Sequence, residues 1–260
     1  MNEPSPVTTE QIDRKWDEMS PLIDRMMERT GNEKEFPVAK GSSLAGDDGA
    51  SSPYQVSHTL RQCITAGVDH LHAMKLLVRE SGVIHAAAPA TLARGALETF
   101  GTAFWILDPP SRDLRIERNL RWHYKNLKDG DTARSELGLA TNRPLKIKLQ
   151  HVQSVADQQG IGTIRGYSST DAVTWADEHA VKASNVLFSW RLCSGFAHGR
   201  PWAYLGALNR EEHDSGEEGV QNIRLEANDA TTLFPALCAL HLLTDVLTLY
   251  RDRASADLVP

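Results

Sequence analysis

The sequence predicts an all-α fold: a helical bundle of about five long helices with a small β-hairpin insertion and an N-terminal helical arm. Three observations lead there. Apolar residues recur at helical spacing over long stretches, as at 56, 60, 63, 64, 68, 71, 74, 77 and 78. Only two short runs, Tyr204–Leu208 and Val220–Ala227, read as extended. Extended and helical runs never alternate, which argues against a parallel sheet built from strand–helix–strand units.

Taken in order, Thr8–Thr30 is amphipathic, with Ile12, Trp16, Met19, Ile23, Met26 and Met27 along one side. Thr8 or Thr9 can cap it, and Pro21, which lacks an N–H, should kink or split it. Residues 31–53 are rich in Gly, Ser and Asp and read as a flexible linker. Residues 1–30 then form an arm, either packed on a second copy of the chain or folded back on its own domain. Residues 54–260 form the bundle domain. Within it Tyr54–Glu80 is a Pro-free helix ended by Ser81-Gly82, and the more apolar Pro89–Leu107 is stopped by Asp108-Pro109-Pro110. Ser111–Lys128 opens with a good cap, Pro144–Gln159 is shorter, and Ala180–His198 ends at Gly199. Asp229–Arg253 closes the chain, and the two extended runs pair as one hairpin of unspecified register. No internal repeat at a solenoid period is present.

Hydrophobic residues make up 41% and charged residues 24% of the 260 residues, enough apolar material for a core. The formal net charge of −6 excludes a protein that coats nucleic acid indiscriminately, but not one with a local basic groove. Cys63, Cys193 and Cys238 are odd in number, far apart and inside apolar runs, which gives neither a disulfide framework nor a zinc or redox pair. They read as buried free thiols in a reducing compartment. The polar start M-N-E-P-S-P is unlike a signal peptide, and polar residues interrupt every apolar run before 18 residues. A cytoplasmic protein without a membrane span is expected. Glu-x-x-His, H-E-x-x-H, the P-loop pattern, G-x-S-x-G and G-x-G-x-x-G are missing, and Asp69-x-x-His72 is the nearest approach to a metal motif. No cofactor and no metal are implied.

The stretch S-W-R-L-C-S-G-F-A-H-G-R-P-W, residues 189–202, carries the densest candidate chemistry. Arg191 and His198 are seven apart, so on a helix they fall about 20° from one line and roughly 10 Å apart along the axis, with Ser194 and Gly195 between. Val186, Trp190, Cys193 and Ala197 form a neighbouring stripe that can face the core. Arg94 and Glu98 stand at i and i+4 on a helix otherwise made of Ala, Leu, Phe and Trp. Charges in such surroundings need partners, so they form either a structural ion pair or a shell that supports Arg191 and His198. Arg118, Arg121, Lys125 and Lys128 share one helix face with Trp122 and Tyr124 interleaved. From 111 to 150 there are ten Lys/Arg against five Asp/Glu, so this face is either solvated or able to track nucleic-acid phosphates. His241 and Asp245, again i and i+4, read as a buried hydrogen-bonded pair or as an Asp that fixes a catalytic His tautomer.

Arg191-L-C-S-G-F-A-His198, near the end of a late apolar helix, resembles the Arg-x4–6-His motif of the HEPN superfamily, helical domains of bacterial defence, toxin–antitoxin and stress systems. Arg79 to His85 and Arg118 to His123 satisfy the same spacing, and placement singles out 191–198. The R-x-x-x-E helix (Arg94, Glu98) followed by S-x-x-x-H-G (Ser194 to Gly199) is similar to one HEPN-like branch of bacterial proteins. The resemblance implies a HEPN-like bundle that works as a homodimer, with Arg and His of two copies lining one cleft. It implies metal-independent endoribonuclease activity, Arg191 holding the phosphate and His198 moving the proton, supported by Ser194, Arg94 and Glu98. RNA and a protein partner such as an antitoxin are the implied partners. Leu192 departs from the polar residue that often follows the motif arginine in nuclease members, which keeps a second reading open, a non-catalytic dimerisation or binding module. A third is a helical small-molecule binder.

Overall fold

The computed structural model describes residues 8–255 except 84, 140 and 142. Ten α-helices and one two-stranded sheet are seen among them: α1 Thr9–Thr30, α2 Ser43–Ser51, α3 Val56–Arg79, α4 Ala88–Leu107, α5 Arg112–Glu136, α6 Leu145–Gln158, α7 Ser169–His179, α8 Val186–Ala197, α9 Pro201–Ala207, β1 Asn209–Asp214, β2 Gln221–Glu226 and α10 Asp229–Ala254. The all-α bundle with one small hairpin is thus the observed architecture.

The most apolar helix is its axis. Every residue of α4 from Phe100 to Leu107 is buried, and α3, α7, α8 and α10 pack around it. Gly67 of α3 permits the closest approach: a Cβ there would lie 2.3 Å from the Phe100 ring. The α4–α5 corner at Asp108-Pro109-Pro110 is clamped by arginines from two directions. Arg253 of α10 donates to the carbonyls of Leu107, Asp108 and Pro109 at 2.7–3.0 Å, and Arg115 donates to those of Pro109 and Pro110. Helix α10 is long and apolar enough to cross a membrane by length and composition. Here Leu242, Leu243, Val246 and Tyr250 are buried inside the bundle.

Helix α1 folds back onto its own chain. Trp16, Met19 and Ile23 are buried against α3 and α10. Ion pairs flank this seam: Lys75 Nζ to Asp24 at 2.9 Å and Arg79 Nη2 to Asp17 at 2.9 Å. The Arg79–His85 spacing therefore begins at an arginine engaged with α1. Thr8 and Gln11 close a capping box at the N-terminus. Of the kink or split expected at Pro21, the split is corrected: α1 runs through it, with Ser20 Oγ donating back to the Trp16 carbonyl at 2.7 Å.

The flexible-linker expectation for residues 31–53 is corrected as well. Glu33–Glu35 makes a 3₁₀ turn and Ser43–Ser51 is α2, capped by Ser42. Asp47, fully buried, forms a two-point ion pair with Arg115 of α5, Oδ2 to Nε at 2.6 Å and Oδ1 to Nη2 at 2.9 Å. Phe36 and Ala39 anchor the segment's start, through Tyr250 Oη and the Ala254 carbonyl respectively.

Four boundaries differ toward and within the second half. Helix α5 runs to Glu136, eight residues past its expected end at Lys128. Residues 204–207, expected to be extended, belong to α9, which starts with Pro201 at its first position. The hairpin is shifted to β1 and β2, paired antiparallel with Asn209 opposite Glu226 and Asp214 opposite Gln221. The helix expected from Ala180 begins only at Val186. Asn185 adopts a left-handed conformation (φ 57°), and the amides of Lys182 and Ala183 are turned toward Asp245. Helix α7 was not expected from the sequence; its signal is Ser168 capping Asp171, then Ala172, Val173 and Ala176 at helical spacing.

A second, smaller core lies between α5 and α6, with Ile116, Leu120, Val152 and Val155 buried. At its edge Tyr54 Oη meets His151 Nδ1 at 3.0 Å, and His123 Nε2 lies 3.0 Å from Thr59 Oγ1. Burial pushes the His123 imidazole down to about 4. An unfolded histidine titrates near 6.5. Above that pH both states are neutral and His123 has no effect. As pH falls from about 6.5 to about 4 the unfolded state binds the proton first, so stability is lost, up to about 3 kcal/mol. His123→Phe is expected to lessen the acid destabilisation by that margin, read from urea unfolding at pH 7 and pH 4.

Candidate functional site

Helix α8 places the motif residues. Its start is held by Asp177 of α7, whose Oδ1 accepts from the Leu187 amide at 3.2 Å. Its end is a left-handed glycine cap: Gly199 at φ +62° lets the Arg200 amide reach the Gly195 carbonyl at 2.8 Å and its own amide reach Phe196 at 3.1 Å. Val186, Ser189, Cys193, Gly195 and Phe196 are buried. Gly195 is where α9 closes in, because a Cβ there would meet the Ala203 Cβ at 2.6 Å and the Trp202 ring at 2.7 Å. Gly195→Ala should therefore lower stability by about 1–3 kcal/mol through overpacking, measured as a lower urea midpoint with an unchanged slope.

Phe188, Arg191 and His198 are exposed along the opposite face of α8. The Arg191 guanidinium has no ion pair or hydrogen bond among the described residues. Phe188 meets Phe234 of α10 edge to face, ring centroids 6.3 Å apart, and both rings stand partly in solvent, as does Trp202. Arginine, imidazole and aromatic surface thus share one open face.

Behind this face lies a polar cluster linking α4 to α8. Arg94 Nε donates to Ser194 Oγ at 2.8 Å, its Nη2 lies 3.4 Å from Glu98 Oε2, and its guanidinium sits 5.7 Å from the Trp190 ring centroid. Glu98 accepts from Ser169 Oγ at 2.7 Å and from Trp190 Nε1 at 3.2 Å. Arg94 and Glu98 thus pair with each other, and Arg94 also holds Ser194, which lies in sequence between Arg191 and His198. Trp190, read from the sequence as part of the core-facing stripe, and Ser169, not singled out there, complete the cluster. Only an indole at i−4 from Ser194 hinted at the first. Arg94→Met is expected to lower stability by about 1–3 kcal/mol, since Ser194 and Glu98 lose a charged partner; thermal unfolding checks it.

Glu98 also borders an open groove of about 950 Å³ between α3, α4 and α5. Arg61 and Asp69 of α3, Thr102 of α4, Trp122 and Asn126 of α5, and Tyr167 line it. Tyr167 Oη lies 2.6 Å from Thr102 Oγ1, and burial pushes this phenol up to about 12. Arg191 and His198 do not line this groove.

The basic stripe on α5 is corrected in part. Arg118 is buried, its guanidinium 3.9 Å from the Trp175 ring centroid and 4.9 Å from that of Trp105, and it donates to the Trp105 carbonyl. Trp175 in turn stacks on His179 at 3.8 Å. Arg121 reaches the Gly166 carbonyl at 3.3 Å, Lys125 pairs with Asp129, and Lys128 is exposed beside Tyr124. Arg118, fixed between two indoles, cannot reach a phosphate. His241 and Asp245 do not form the expected pair either. Asp245 Oδ2 accepts the Lys182 and Ala183 amides at 2.9 and 3.1 Å, while His241 is exposed.

Cys63, Cys193 and Cys238 are free and buried, and burial pushes their thiols up to about 12, 12 and 11. Among the described residues, no group of three or more His, Cys, Asp or Glu side chains is placed to hold a metal ion. What the geometry presents is an arginine and a histidine on one solvent face, backed by a fixed polar cluster. Comparison with known proteins finds no matching family model, no matching curated protein and no matching solved structure.

Proposed function

We propose that the chain is a metal-independent endoribonuclease of the HEPN type, with Arg191 and His198 as its working pair at a cleft between two copies. The observation that carries the reading is their common exposure on one face of α8, with the guanidinium free of any partner among the described residues. Of the three Arg–His spacings in the sequence, the other two begin at arginines held elsewhere, Arg79 by Asp13 and Asp17 and Arg118 by two indoles. RNA cleavage without a metal needs a proton acceptor for the 2′-hydroxyl and a cation for the crowded phosphate, which imidazole and guanidinium supply. The exposed Phe188 and Phe234 beside them provide apolar area for a second copy. A protein partner such as an antitoxin would silence the pair by covering this face, in a cytoplasm that keeps the three thiols reduced.

The test is cleavage of single-stranded RNA by the purified protein in EDTA. Wild type should cut, and Arg191→Ala should lose about 10²–10³-fold in rate, as for removal of one oxyanion donor. A wild-type protein that leaves RNA intact, or an unimpaired Arg191→Ala, rejects the reading. The groove beside Glu98 favours a second one, a small-molecule binder with polar groups inside its bundle. Its mark is a thermal shift with a metabolite that is abolished by Trp122→Ala, with no RNA turnover.

A further inference from the structure

The β1–β2 hairpin is held at its base, where Leu225 packs on the core and Asn228 reaches the Ala207 carbonyl at 3.1 Å. All of β1 and all of β2 except Leu225 are exposed. A two-stranded ribbon of this kind is marginal in water by itself, and both its edges remain open to pairing. Its charges are sorted. Arg210 and Arg224 are taken up by Glu212 and Glu226 of the same strands. At the turn, Asp214, Glu217 and Glu218 have no cation within ion-pair distance among the described residues, and Val220 is exposed beside them.

The opposite arrangement occurs where α5 passes into α6. Arg143, Lys146 and Lys148 there have no carboxylate within ion-pair distance among the described residues. Leu137 (75% exposed), Leu139 (57%) and Ile147 stand in solvent among them. Exposed aliphatic side chains in one stretch of chain, beside cations without carboxylate partners among the described residues, give a surface that a partner can cover. The two elements carry opposite unpaired charge, each has exposed apolar side chains, and both are open in the single chain.

We propose that the acidic hairpin turn of one copy docks on the basic, leucine-bearing α5–α6 tip of a second copy. Charge complementarity selects the partner, because three carboxylates without a cation meet a tip where Arg143 and Lys146 are exposed without a carboxylate partner among the described residues. Beside them lie Lys148, which donates to Thr141 Oγ1, and one exposed carboxylate, Glu136. An acidic turn repels phosphates, so this contact is not a nucleic-acid site. It joins two different patches, so it closes either as a pair exchanging two such contacts or as a ring. It uses neither Arg191 nor His198, and the charge reversals below test it apart from the two-copy cleft of the ribonuclease reading.

The experiment is the mass of the full chain in solution by light scattering and sedimentation, at low and high salt. Wild type should self-associate, more weakly as salt rises. Glu217→Lys with Glu218→Lys, and separately Arg143→Glu with Lys146→Glu, should each weaken association at least about tenfold. All four positions are exposed, so both variants are expected to keep the wild-type melting curve. Mixing the two charge-reversed proteins should restore association, because each then offers the complement of the other. A wild type that stays monomeric at its highest soluble concentration overturns the proposal. So does an oligomer indifferent to both reversals, or a mixture that fails to reassociate. A tip reversal that alters RNA or heterologous protein binding but not self-association overturns it too.

Discussion

Asp47→Ala is expected to destabilise the protein by about 3–5 kcal/mol, because it strands the Arg115 guanidinium in a site with almost no solvent contact. Burial raises the Asp47 carboxyl, while the two-point contact with Arg115 opposes that shift. The pair is useful through what Arg115 also holds: the Pro109 and Pro110 carbonyls and Ser43 Oγ. One guanidinium thus fastens α2, α5 and the corner leaving α4. Arg115→Met alone should cost a similar amount, since it leaves the carboxylate buried without its partner. The double variant Asp47→Ala/Arg115→Met should cost clearly less than the two single changes added together. Urea unfolding of all four proteins measures the coupling. Additive losses would show that the ion pair is not what fastens α2.

His198→Ala is expected to reduce RNA cleavage by about 10²–10⁴-fold, the range of a lost general acid or base, while the melting temperature stays close to that of wild type. The two halves of that expectation have separate causes. The imidazole is exposed at the C-terminal cap of α8, so its loss opens no buried cavity. The cap itself rests on Gly199 and the Arg200 amide, which alanine at 198 does not disturb. Cleavage at the wild-type rate by His198→Ala would place the chemistry elsewhere or show none to be present. Combining His198→Ala with Arg191→Ala should cost much less than the product of the single losses, since residues acting on one transition state are not independent.

Much of the fold was legible from spacing alone. Ile12, Trp16, Met19 and Ile23 announced the buried side of α1, and the uninterrupted apolar character of 89–107 announced the central helix. Boundaries followed where a local signal set them, as with Ser111, which caps α5 through the Leu114 amide. The failures share a cause. Residues 43–51 contain two glycines and two aspartates and have the composition of a loop; the partner that makes Asp47 a core residue is 68 residues away. Arg118 has the same helical spacing as Lys125 and Lys128, yet Trp175 from α7 encloses it. Asp245 was matched with its neighbour at i−4 and instead takes two amides more than sixty residues earlier.

The sequence by itself determined the helical class, the apolar faces, the caps at Thr8 and Ser111 and the common helical line of Arg191 and His198, because periodicity and capping act within a few residues of the chain. Tertiary structure alone decided which charges are free. Arg94 was assigned to Ser194, Asp47 to Arg115, and Arg118 to two indoles, while Arg191 was left in solvent. A charge brought into a packed interior must find its partner wherever the packing places one, and no local pattern records that address.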